Sequence, residues 1–140
     1  MQVAMRLQIS RAHYAELLAL AAASPDTEVC GLVFGDHCRV EMVMPVTNVA
    51  ADPARQFEID PAALINALRC EREGGRKLLG YFHSHPQGPA RPSSMDRERA
   101  IGDGRLWLII GNRQITAWRI VARTFEQIAI EIGGDAPERD

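Results

Sequence analysis

Apolar positions along the chain recur with two periods, one near 3.6 and one near 2, and the switches between them predict its elements. Met5 to Ile9 reads as a first strand. Ser10 stands where an N-cap belongs, and Tyr14, Leu17, Leu18 and Ala21 form one buried stripe of a helix running to about Ala23. Ser24-Pro25-Asp26 ends it. Val29 to Phe34 is continuously apolar, the pattern of a strand buried on both faces, and Gly35-Asp36-His37 should turn it. Val40, Met42, Met44 and Val46 alternate with other residues, which predicts a strand with one buried face. Gln56 to Ile59 is a short extended piece. Asp60-Pro61 supplies an N-cap and a first-turn proline for a second helix, with Leu64, Ile65, Ala67 and Leu68 inward and Gly74-Gly75 at its end. Leu78 to Phe82 is another apolar run, followed by a short helix from about Ser94 to Ile101. Leu106 to Ile110 reads as a buried strand turned at Gly111-Asn112. Thr116, Trp118 and Ile120 line one face of the next strand, and Ile128, Ile130 and Ile132 one face of the last.

Strands interspersed with helices, some joined by tight turns, predict an α/β fold around a mixed β-sheet. The 140 residues, 46% hydrophobic, suit one domain over residues 1–134, with a polar, frayed tail at 135–140. Sixteen basic and eighteen acidic residues leave a net charge of −2 with no block of like charge. That argues against a nucleic-acid footprint or an anionic-membrane patch. Cys30, Cys38 and Cys70 are odd in number and form no C-x-x-C, which fits reduced thiols and a cytoplasmic location. The apolar run Leu17 to Ala23 follows charged residues and is too short to span a bilayer. No internal repeat or low-complexity segment is present.

The chemistry concentrates in Gly80-Tyr81-Phe82-His83-Ser84-His85-Pro86. His83 and His85 stand two apart at the end of an apolar strand, so both imidazoles leave the same face and can be aimed at one metal ion. Pro86 stops strand pairing, and Gln87-Gly88-Pro89-Ala90-Arg91-Pro92 should turn the chain back. That turn delivers Asp96, on the first turn of a helix, as a third possible ligand. Taken alone, Ser93-x-x-Asp96 also reads as a variant capping box, and Glu28 as a surface residue at a strand start.

His83-Ser84-His85-Pro86, six residues, then Ser93-Ser94-Met95-Asp96 resembles the H-x-H-P-x6-S-x-x-D signature of the JAMM/MPN-type zinc metalloproteases. That family also carries a glutamate upstream, at the start of a glycine-containing apolar strand, and Glu28-Val29-Cys30-Gly31-Leu32-Val33-Phe34-Gly35 matches it. The resemblance spans Glu28 to Asp96, with every motif position filled. It implies a curved mixed sheet flanked by helices, in the cytidine-deaminase-like style. A zinc deaminase would need H-x-E and P-C-x-x-C, and the chain has neither. The resemblance further implies one zinc per chain, held by His83, His85 and Asp96, with a fourth position for water whose pKa falls to about 7. Glu28 would be the general base and Ser93 a hydroxyl donor to the oxyanion. The activity implied is hydrolysis of the amide bond after the Gly-Gly tail of a small ubiquitin-like or sulfur-carrier protein. The absence of a long insertion points to a compact prokaryotic-type member. The alternative is a non-catalytic MPN scaffold, but such members typically lack the ligands that this chain keeps. Nothing in the sequence reads out an oligomeric state.

Overall fold

In the computed structural model, which describes residues 5–100 and 102–133, seven strands and three helices follow one another along the chain. They are β1 (Arg6–Ser10), α1 (Arg11–Ala22), β2 (Cys30–Asp36), β3 (Arg39–Val46) and α2 (Pro61–Arg72), then β4 (Leu78–Ser84), α3 (Ser94–Arg99), β5 (Leu106–Gly111), β6 (Gln114–Val121) and β7 (Thr124–Gly133). The strands form one mixed sheet in the order β3-β2-β4-β5-β6-β7-β1. Pairing is antiparallel except between β4 and β5 and where β1 meets its neighbours. The sheet curves until its edges touch: β1 pairs with β3 at Gln8↔Arg39, and the Gln8 N–H donates to the Cys38 carbonyl at 2.8 Å. The expected curved mixed sheet with flanking helices is present, with its two edges closed on each other.

Alternation along β2 sorts the core into two clusters. Val33 faces one way, with Leu7, Leu17, Phe82, Leu108 and Ala117, under the apolar stripe of α1. Leu32 and Phe34 face the other way, with Leu78 and the Leu64, Ala67 and Leu68 stripe of α2. Ser10 caps α1 by accepting the His13 N–H, and Asp60 caps α2 by accepting the Ala62 N–H. Losing the Phe82 ring, which is fully buried, would cost about 3–5 kcal/mol, since the surrounding strands cannot collapse into its volume.

Several expectations are corrected. Val40 and Val43 join the α1 side of the core, whereas Met42, Met44 and Val46 face α2. The cause is a bulge: Phe34 pairs with Met42 but Gly35 with Val40, so Glu41 is an extra residue that flips the parity. Ile65 is 56% exposed, because the contact stripe of α2 is narrow and passes beside it. On β6 the fully buried face is Ile115 and Ala117, while Thr116, Trp118 and Ile120 are half-buried. Ile132 is exposed on β7. The hairpin turns fall at His37-Cys38, Asn112-Arg113 and Ala122-Arg123, each pair with positive φ, the backbone of the two-residue turns that follow strand twist. The expected end of α3 at Ile101 and the tail expected at 135–140 lie outside the described residues.

Candidate metal centre

β4 is central, between β2 and β5, and its His83 pairs with Cys30 on one side and Ile109 on the other. His85 lies just past the end of the strand, yet its N–H donates to the Ile110 carbonyl at 2.8 Å, so the extended course continues and both imidazoles stay on one side. Pro86 then ends the pairing, and the chain returns to α3, whose first turn carries Asp96. His83 Nε2 lies 3.1 Å from His85 Nε2 and 3.1 Å from Asp96 Oδ2, and His85 Nε2 lies 3.0 Å from Asp96 Oδ2. Zinc bonds of roughly 2.0–2.1 Å place tetrahedral donors about 3.3 Å apart, so this triangle is a slightly contracted tetrahedral face. Two imidazoles and a carboxylate are a donor set that suits zinc. Among the described residues, this is the group of His, Cys, Asp and Glu side chains close enough together to hold a metal.

Contacts behind the triangle fix it. The His85 Nδ1–H donates to the Pro89 carbonyl at 2.9 Å, which leaves Nε2 as the free donor atom. The Thr116 hydroxyl donates to the Ala90 carbonyl at 2.6 Å and accepts from Trp118 Nε1 at 2.7 Å, so β6 pins the proline loop from below. Gly111 lets that loop pass, because a Cβ there would meet the Gly88 carbonyl oxygen at 2.6 Å and the Ala90 nitrogen at 2.7 Å. Phe57 stacks on His83 with ring centroids 4.1 Å apart, and Trp107 abuts both rings edge-on. Asp96 accepts the Ser93 N–H at 2.9 Å while Ser93 Oγ accepts the Asp96 N–H at 3.0 Å. The capping box is therefore real, and the Ser93 hydroxyl proton is still available to donate.

Burial depresses the pKa of His83 against the opposing pull of Asp96, which favours the neutral imidazole that a metal ligand must be. For His85 burial again acts downward, but hydrogen bonds to Asp96 and the Pro89 carbonyl outweigh it and raise the pKa. Asp96 is pushed up by burial, yet the two histidines hold it well below the usual carboxylate range. Glu28 lies two residues before β2 and is only 6% exposed. Burial, assisted by the Asp96 charge and opposed by His85, raises its pKa to about 7. Its Oε1 is buried with no hydrogen-bond partner among the described residues. Glu28, His85 and Ser93 line one cleft of about 440 Å³, walled by Pro86, Pro89 and Pro92. All five residues singled out in the sequence thus converge here, His83 and Asp96 beneath the cleft and the other three along it. Phe57 and Thr116 were not singled out, since an aromatic or threonine in an extended segment carries no signal that separates a site support from ordinary packing.

Residues 10–121 match the family described as prokaryotic homologs of the JAB domain. The chain belongs to that family. Among curated relatives of this JAB-domain protein, the desampylase of Haloferax volcanii is 35% identical over 115 residues, covering 80% of this chain and 83% of its own. A probable TtuB-protein conjugate cleaving protease of Thermus thermophilus is 44% identical over 61 residues, covering 44% of this chain and 41% of its own. The fold matches the solved structure described as JAMM, a metalloprotease-like zinc site in the proteasome and signalosome, with a TM-score of 0.59 at 18% identity. That match covers 92% of this chain and 99% of the other.

Proposed function

We propose that this JAB-domain protein is a zinc-dependent isopeptidase that cleaves the amide bond after the Gly-Gly tail of a small ubiquitin-like or sulfur-carrier protein. The observation that carries the reading is the triangle of His83, His85 and Asp96 donor atoms, 3.0–3.1 Å on a side, whose His85 lines a cleft that also holds the buried Glu28. The curated relatives named as a desampylase and a conjugate-cleaving protease support the substrate class.

His83, His85 and Asp96 would hold the ion. Bound there, zinc would supply Lewis acidity, which brings the pKa of a coordinated water to about 7. Glu28 takes the proton of the attacking water and returns it to the leaving amine, so its charge is restored in each cycle. A carboxyl poised near neutrality suits both halves of that shuttle. A cation among the three donors draws its pKa down and favours the basic form. The Ser93 hydroxyl, free to donate after accepting the Asp96 N–H, stabilises the oxyanion that develops on the scissile carbonyl. Pro86, Pro89 and Pro92 wall the cleft, and a tail of Gly-Gly passes them with least steric conflict.

The test is a panel of fusions in which a small β-grasp protein is joined through Gly-Gly, Ala-Ala or bulkier pairs to a reporter. Cleavage should follow Gly-Gly and fall steeply with side-chain size. Equal cleavage across the panel would remove the substrate assignment, and no cleavage of any member by zinc-loaded protein would favour the scaffold alternative.

A further inference from the structure

Glu28 precedes β2, so no strand pairing holds its backbone in place. The segment between β3 and α2 holds it instead. The Glu28 N–H donates to the Pro53 carbonyl at 2.7 Å, and the Glu28 carbonyl accepts from Asn48 Nδ2 at 2.9 Å. The same Asn48 Nδ2 donates to the Gln56 carbonyl at 3.0 Å, and Asn48 Oδ1 accepts the N–H groups of Ala50 and Glu58, each at 3.0 Å. Two carbonyls on one side and two N–H groups on the other fix which end of the amide is nitrogen, and they use its full hydrogen-bonding capacity. Gln56 and Glu58 bracket Phe57, the ring stacked on His83.

We propose that Asn48 is a positioning residue for Glu28, setting the base against the metal centre through the Glu28 carbonyl. The inference rests on the reading of Glu28 as the general base. A base works only within about 2.6–3.2 Å of the proton it takes, and a misplacement of roughly 1 Å costs on the order of 100-fold in rate. Two side chains hold the peptide that follows Glu28: Asn48 donates to its carbonyl, and the Ser84 hydroxyl accepts its Val29 N–H at 2.9 Å. Asn48 is the one that a substitution can remove without touching the strand that carries His83. It lies outside the His-x-His-Pro and Ser-x-x-Asp motifs, so those motifs give no sign of it.

The experiment measures kcat, KM and zinc content on a Gly-Gly fusion for Asn48→Asp and Asn48→Ala, each in the wild-type and the Glu28→Gln background. Asn48→Asp keeps both acceptor bonds, to Ala50 and Glu58, while the donors to Glu28 and to the Gln56 carbonyl are lost. Asn48→Ala removes the added charge as an explanation. Each should lower kcat at least ~10-fold, with KM within about twofold and one zinc per chain retained. In the Glu28→Gln background the same substitutions should change kcat by less than about twofold, because the group they aim is already disabled. Wild-type kcat in both single variants, or an equal loss in both backgrounds, overturns the proposal. Full activity in Glu28→Gln overturns it together with the reading of Glu28 as base, whereas loss there beside an indifferent Asn48→Asp overturns the positioning role alone.

Discussion

Glu28 is a buried carboxyl whose pKa lies near 7 where an unfolded chain would have about 4.5. Because the folded state holds that proton more tightly than the unfolded state, folding stability falls as pH rises through the interval from 4.5 to 7. Glu28→Gln removes this dependence. Metal-free Glu28→Gln should therefore gain on metal-free wild type by roughly 3 kcal/mol between pH 4 and pH 8, measured by denaturant unfolding at both. A constant difference across that range would mean the carboxyl is not desolvated as described. Ser93 has two jobs that separate experimentally. Ser93→Ala should cost about 1 kcal/mol through the lost cap, and ~10²–10³ in kcat through the lost donor. A lower melting temperature with an unchanged rate would leave the cap alone. The ligand spacing was legible in the sequence because period-two alternation puts His83 and His85 on one side whatever the neighbours are. Phe57 and Asn48 were not legible, since their roles depend on which strand end the segment after β3 is folded against.

At the scale of elements, the period-two and period-3.6 patterns located every helix and strand to within a few residues. They failed where pairing rather than pattern decides the face. The Glu41 bulge moved Val40 to the opposite side from Met42, a shift that depends on the register with β2. Thr116 and Trp118 were read as sharing one strand face, and the proline loop lies against that side and turns both into supports for it. Gly111 is where this arrangement is most exposed to a test. In Gly111→Ala the new Cβ meets backbone atoms of Gly88, Pro89 and Ala90 at 2.6–2.7 Å, and the loop, not the strand, must give way. The Pro89 carbonyl that orients His85 moves with it. Gly111→Ala should weaken zinc affinity by about 10–100-fold, the range seen when partners behind metal ligands are lost. A zinc titration with a competing chelator reads this directly, and unchanged affinity would mean that the loop position does not matter to the ligands.

For the whole molecule, the metal site joins β4, the proline loop and α3, which follow one another along the chain, to Glu28, which comes from just before β2. An ion bound only by the folded state stabilises it by about 2.7 kcal/mol at a free concentration one hundred times Kd. Chelation should therefore lower the melting temperature of wild type and leave that of His85→Ala unchanged. Nothing in the apolar pattern could have shown that the sheet edges close, because the Gln8↔Arg39 rung joins residues whose own periodicity is unremarkable. Among the described residues no helix is long and apolar enough to cross a membrane. The central claim is that one zinc on His83, His85 and Asp96 works with Glu28 as its base. It is tested most directly by zinc content and Gly-Gly fusion cleavage measured on the same preparations of wild type and Glu28→Gln. The account predicts about one zinc per chain in both, with cleavage at least ~100-fold slower in Glu28→Gln. Wild type that binds no zinc, or Glu28→Gln that cleaves at the wild-type rate, would contradict it.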